Sequence, residues 1–197
     1  MIVGEFVEWL RNGRPPWAAY WALMSGRMIA LDKHPGIRPV GVSETWRRMM
    51  VKCLLRVAGP EAKVACGTTQ LAGGVEAGIE GAIHAMRILW EEHQTEEDWG
   101  FLHIDARNAF NEDNLTAMLW AVWHKWPSGA QFTFNCYRHW ATLVVRDTGD
   151  RSGHFLHSKE GVTQGYPLTM IAYVIGVLPL IRELRNAPPQ GHSVMVR

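Results

Sequence analysis

The chain has no apolar run approaching the roughly 18 residues that cross a bilayer. Its opening segment, MIVGEFVEWLRNG, lacks the basic region and apolar core of a secretory signal. The expectation is therefore an intracellular protein, in the nucleus or cytoplasm, that is not secreted and has no membrane partner. Cysteine is scarce and odd in number, at Cys53, Cys66 and Cys136, which fits a reducing compartment and predicts no disulfide. An excess of either charge is missing too. Twenty Lys and Arg against 19 Asp and Glu leave a net charge of +1, so no global basic field announces a nucleic-acid binder, although a local basic groove would serve equally well. Neither G-x-S-x-G nor G-x-x-x-x-G-K occurs, which sets aside a serine hydrolase elbow and a phosphate loop. Disorder is excluded by 47% hydrophobic against 20% charged residues.

At 197 residues the chain has the length of one compact domain, or of an incomplete piece of a larger one. No repeat or linker divides it. Ten tryptophans exceed ordinary usage and suggest a core or interface filled with broad, flat side chains.

Residues 1–26 read as two short helices around the Gly13-Arg14-Pro15-Pro16 break. RMIALDK and RPVGV flank His34-Pro35-Gly36 and predict a hairpin, because Pro-Gly is strong turn chemistry. Ser43 offers an N-cap for a helix to about Val57. On that helix Arg48, Lys52 and Arg56 recur every fourth residue and share a face. Such a stripe is either a solvated surface or a track for phosphates.

A longer helix is predicted from Gly73 to about Gln94, with Val75, Ile79, Ile83, Met86 and Trp90 on one face. Its interior glycines call for close packing against a neighbour, since each costs about 1 kcal/mol relative to alanine. WGFLHI (99–104) reads as a short strand delivering Asp105, and DNLTAMLWAVWHKW as a helix stopped by Pro127. A second hairpin is predicted at 141–158 around Thr148-Gly149-Asp150. Pro167 fits the first turn of an apolar helix to Leu184, and 187–197 has little to pack.

Three blocks carry chemistry. The first is Lys33-His34-Pro35-Gly36-Ile37-Arg38-Pro39-Val40. The second, His103 to Asn111, holds a carboxylate, small residues beside it and an aromatic five positions on. The third is Glu160-Gly161-Val162-Thr163-Gln164-Gly165-Tyr166-Pro167-Leu168. In order and approximate spacing they resemble the reverse transcriptases, in particular the retrotransposon-encoded branch, over roughly residues 28–185.

The resemblance implies an α+β fold, part of a right-hand polymerase that is rich in helices and carries short antiparallel hairpins. Residues 1–27 would form N-terminal helices, 28–98 fingers, 99–186 palm and 187–197 a tail. The implied activity is RNA-directed DNA synthesis from an RNA template, a DNA primer and deoxynucleoside triphosphates. By resemblance, Lys33 and Arg38 meet the triphosphate, where two cations can neutralise charge on the leaving pyrophosphate. Asp105, helped by the Ile104 carbonyl, would hold Mg2+ or Mn2+, hard ions that suit oxygen ligands and paired-metal chemistry. Phe110 would pack under the sugar and exclude a 2′-hydroxyl. Gln164 and Gly165 would position the base pair, and Arg48, Lys52 and Arg56 would track a nucleic-acid backbone.

Tyr166 and Met170 stand where the family carries a small or acidic residue and a proline, and a tyrosine there either stacks on a base or obstructs the nucleotide. The family's third palm motif, with two adjacent aspartates, is not in the sequence: no Asp follows Asp150. Its carboxylates are expected beyond residue 197, in a missing palm and thumb segment, and the isolated chain is expected not to polymerise. A zinc set from Cys136, His139, His154 and His157 has loosely acceptable spacing, but His154 and His157 lie on a predicted strand and would face opposite sides.

Overall fold

The computed structural model describes residues 2–101, 103–146, 149 and 152–186; the tail at 187–197 and the turn residues Thr148 and Asp150 lie outside them. Helices α1 (Ile2–Asn12) and α2 (Trp17–Met24) flank the Gly13–Pro16 break. That break leaves carbonyls without helical partners. The buried Asn135 amide donates to two of them, Leu10 at 3.0 Å and Gly13 at 2.7 Å.

Strands β1 (Gly26–Asp32) and β2 (Ile37–Ser43) form the expected antiparallel hairpin, paired from Gly26↔Ser43 to Asp32↔Ile37. Its tip closes with Lys33 N donating to Gly36 O at 3.0 Å, and Gly36 takes φ +100°, a value that favours glycine. The second hairpin, β3 (Ala141–Val145) with β4 (His154–Ser158), also forms. The two hairpins are not independent. Gly26↔Leu143 and Arg27↔Val144 pair in parallel and join all four strands in the order β2-β1-β3-β4.

Helix α3 (Thr45–Cys66) is capped by Glu44, whose carboxylate accepts from Trp46 N at 3.1 Å, rather than by Ser43. It also runs past Val57 and through Pro60 to a stop at Gly67. Proline removes one helical hydrogen bond, and burial of Ala58, Ala62 and Cys66 on the far side of the chain compensates. Helix α5 (Leu115–Lys125) starts at Asn114, whose side chain accepts from Ala117 N at 2.9 Å. Pro127 does end α5, but it also opens a helix that sequence reading left unassigned, α6 (Pro127–Tyr137). Proline is preorganised for that first position. Pro167 lies ahead of the last helix, α7 (Thr169–Asn186), not inside its first turn. α5 packs along α7 and α6, and α3 packs against both.

The core lies among these four helices. Trp126 is fully buried, donates its Nε1–H to Ala58 O at 2.8 Å and fills the space a side chain at Gly129 would need. It is the exception: eight of the ten tryptophans, including Trp17, Trp21 and Trp140, are exposed by 38–61%. Their abundance belongs to the surface.

Helix α4 (Gly78–His93) starts later than expected, because Gly73 and Gly74 turn the chain first. Close packing accounts for Gly73, where a Cβ would stand 2.7 Å from Cys66 Sγ, and for Gly78, but a Cβ at Gly81 would meet open space. The apolar face of α4 is uncovered, with Ile79, Ile83, Met86 and Trp90 all exposed. The expected strand at 99–104 does not form among the described residues. Its aromatic side chains fold back on α4 instead: His93 and Trp99 stack at 4.8 Å between ring centroids, and Phe101 lies 5.9 Å from Trp90.

Candidate nucleotide and nucleic-acid site

Asp105 therefore sits on irregular chain rather than at a strand end, and both it and Ile104 are exposed. A turn follows, closed by Asn111 N donating to Asn108 O at 2.9 Å, with Asn108 at φ +52°. From this turn the chain meets the third block directly. Val162 N donates to Phe110 O at 2.6 Å, and Gly161 N to Asp113 O at 2.9 Å. Gly161 (φ +76°) lies against the Asn111 backbone so closely that no Cβ fits.

The same loop reaches the first block. Gly41 N donates to Gln164 O at 2.9 Å, and a Cβ on Gly165 (φ +93°) would stand 2.8 Å from Val40 Cγ1. Both glycines thus have a geometric reason: positive φ combined with close backbone approach. Lys33 and Arg38 are exposed at the tip end of the β1–β2 hairpin, beyond this contact. The Phe110 ring is half-buried, 4.8 Å from Tyr173 on α7. Gln164 is half-buried and Gly165 exposed. Arg48, Lys52 and Arg56 are all exposed along α3, whereas Arg47 beside them is buried.

Tyr166 neither stacks outward nor obstructs the loop. It is 3% exposed, lies beneath the loop with the Arg47 guanidinium 4.1 Å from its ring centroid, and its hydroxyl is 3.5 Å from Cys136 Sγ. Burial holds the phenol well above its ordinary pKa, so it stays neutral. Met170, the other departure, is exposed at the start of α7. Cys53, Cys66 and Cys136 are all free thiols.

Asp113 escaped sequence reading because it immediately precedes the α5 cap and looks like part of a helix start. Its Oδ2 is buried without a hydrogen-bond partner among the described residues. Burial first, then the neighbouring Glu160 carboxylate, raises its pKa to about 6. Glu160 accepts from Leu115 N at 3.3 Å, a favourable place for a carboxylate at a helix N-terminus. The signal in sequence was a second aspartate eight positions after Asp105.

A divalent cation needs several oxygen ligands. The described residues contain no group of three or more His, Cys, Asp or Glu side chains arranged to hold one, and Asp105 by itself supplies a single carboxylate. The described residues do not by themselves make a complete metal site. No helix among the described residues is long and apolar enough to cross a membrane. No protein-family model matches the chain, and no curated protein matches it significantly.

Proposed function

We propose that the chain is a fingers-and-palm portion of a retroelement reverse transcriptase, an RNA-directed DNA polymerase. The observation that supports this most is convergence: the third block is tied by backbone hydrogen bonds to the second at Phe110 and just past it at Asp113, and to Gly41, the residue directly after the first block. A loop held on both sides in this way is stiff, which is what positioning a base pair requires. Lys33 and Arg38, on the hairpin that the loop touches, supply positive charge for a triphosphate. Phe110 is fixed through its own carbonyl and so can serve as a rigid floor under a sugar. The basic face of α3 would follow the nucleic-acid backbone.

Asp105 and the Ile104 carbonyl would contribute to holding Mg2+ or Mn2+, whose paired-ion chemistry would need further ligands. Because this chain offers one carboxylate there, polymerisation requires ligands from a further segment. A second reading, a nucleic-acid-binding remnant without catalysis, would rest on the same exposed basic face of α3.

Primer extension on an RNA template, together with binding of an RNA–DNA hybrid, tests both. The expected result is salt-sensitive hybrid binding without extension. Extension by the 197-residue chain would refute the requirement for further ligands, and absence of hybrid binding would sink the polymerase reading.

A further inference from the structure

A cleft of about 770 Å³ opens between α2, α5, α6 and the β3–β4 hairpin, on residues that the polymerase blocks, Glu160 apart, do not use. Its walls carry three indoles, Trp17 (61% exposed), Trp21 (49%) and Trp140 (56%). Between them stand Arg138, Lys159 and His157. Neither Arg138 nor Lys159 has a carboxylate partner among the described residues. Lys159 instead lies 4.6 Å over the Trp140 ring, and Arg138 lies 4.9 Å over Tyr20 and donates to Pro15 O at 2.6 Å. Burial pushes the Arg138 guanidinium below its ordinary pKa, and the nearby Arg14 pushes the same way. An anion would relieve both. The lone lining carboxylate, Glu160, is engaged by Leu115 N.

We propose that this cleft binds single-stranded nucleic acid, with bases stacked on Trp17 and Trp140 and phosphates on Arg138 and Lys159. Stacking platforms interleaved with cations are the chemistry that holds an unpaired strand without regard to sequence. Separate indoles on different walls suit a strand better than a single mononucleotide, which needs one platform. An acidic peptide would use the cations and leave the indoles bare. The site does not depend on catalysis or on the polymerase reading.

The test is fluorescence anisotropy of labelled oligothymidylate with the 197-residue protein. Trp17→Ala and Trp140→Ala should each weaken binding by at least about fivefold, and Trp140→Phe should retain most of it. Lys159→Ala should reduce the slope of log affinity against log salt by about 0.7. Both tryptophans are surface residues, so the variants should keep the wild-type circular dichroism spectrum. Unchanged affinity in the folded double-alanine variant would overturn the proposal, as would polyglutamate competing as well as oligothymidylate. Charge reversal at Arg48, Lys52 and Arg56 separates the two readings: it should abolish hybrid binding and spare oligothymidylate. Loss of oligothymidylate binding in that variant would place the strand on α3 and refute the cleft.

Discussion

The guanidinium of Arg47 lies 4.1 Å from the centre of the Tyr166 ring, inside the protein, and so connects α3 to the residue that follows Gln164 and Gly165. Arg47 also donates to Met24 O at 3.1 Å and contacts Ser43 Oγ at 3.4 Å. The end of α2, the end of β2 and the Gly161–Gly165 loop thus meet at one buried cation. Tyr166 acts from below the loop. Removing its ring would leave a cavity and expose the cation to no compensating face.

Tyr166→Ala is accordingly expected to cost about 3–5 kcal/mol of stability, in the range for deleting a buried aromatic ring. Tyr166→Phe keeps the ring under Arg47 and loses the hydroxyl's contacts to Cys136 and Arg47, at about 1 kcal/mol. Urea denaturation of the two variants checks this. Equal losses would show that the hydroxyl, rather than the ring beneath Arg47, matters.

Gly161 and Gly81 should respond oppositely to alanine. At Gly161 the positive φ and the Asn111 backbone both exclude a side chain, so Gly161→Ala should destabilise by about 1–3 kcal/mol. Gly81 lies in α4 with open space around it, and Gly81→Ala should stabilise by about 0.5–1 kcal/mol. Thermal melts of both variants would reveal a loop held less tightly than described if Gly161→Ala were neutral.

Asp113 predicts a pH dependence of definite sign. Its folded pKa, about 6, lies above the ordinary 3.8, so the folded state holds this proton more tightly than the unfolded chain does. Stability from this group is fully present below about pH 4 and is lost as pH rises through about 6. Partial solvent exposure limits the effect to about 1 kcal/mol. Asp113→Asn should remove that loss and raise stability at pH 7, and Glu160→Gln should move the transition to lower pH. Denaturant midpoints measured from pH 4 to 7 decide it; a wild type and Asp113→Asn with parallel profiles would rule it out.

The elements governed by short-range chemistry were legible in sequence. Pro35-Gly36 specified the first hairpin, and Pro127 the end of α5. What was not legible depended on partners far along the chain. α3 continues through Pro60 because α6 and α7 supply a core for Ala58 and Ala62. The strand expected at 99–104 does not form among the described residues, where Trp99 and Phe101 find aromatic partners on α4 instead. Apolar content could not tell a core tryptophan such as Trp126 from surface ones such as Trp17 and Trp140, since only tertiary packing separates them. At the candidate site the resemblance assigned Gly165 to a base pair, whereas its close neighbour here, Val40, and the buried Oδ2 of Asp113 beside α7 depend on tertiary packing.

The stripe on α3 gives a final quantitative expectation. Arg48, Lys52 and Arg56 project into solvent from one face, and exposed cations contribute to nucleic-acid affinity chiefly by displacing counterions from phosphates. Each phosphate contact adds about 0.9 to the slope of log affinity against log salt on duplex. Replacing all three by alanine should therefore flatten that slope by about 2–3 for an RNA–DNA hybrid and weaken binding most at low salt. The fold should be indifferent, because exposed charges remote from partners add little stability. Hybrid titrations across a salt series, with melting temperature as the control, separate a phosphate track from a merely solvated face: an unchanged slope would assign the stripe to solvent.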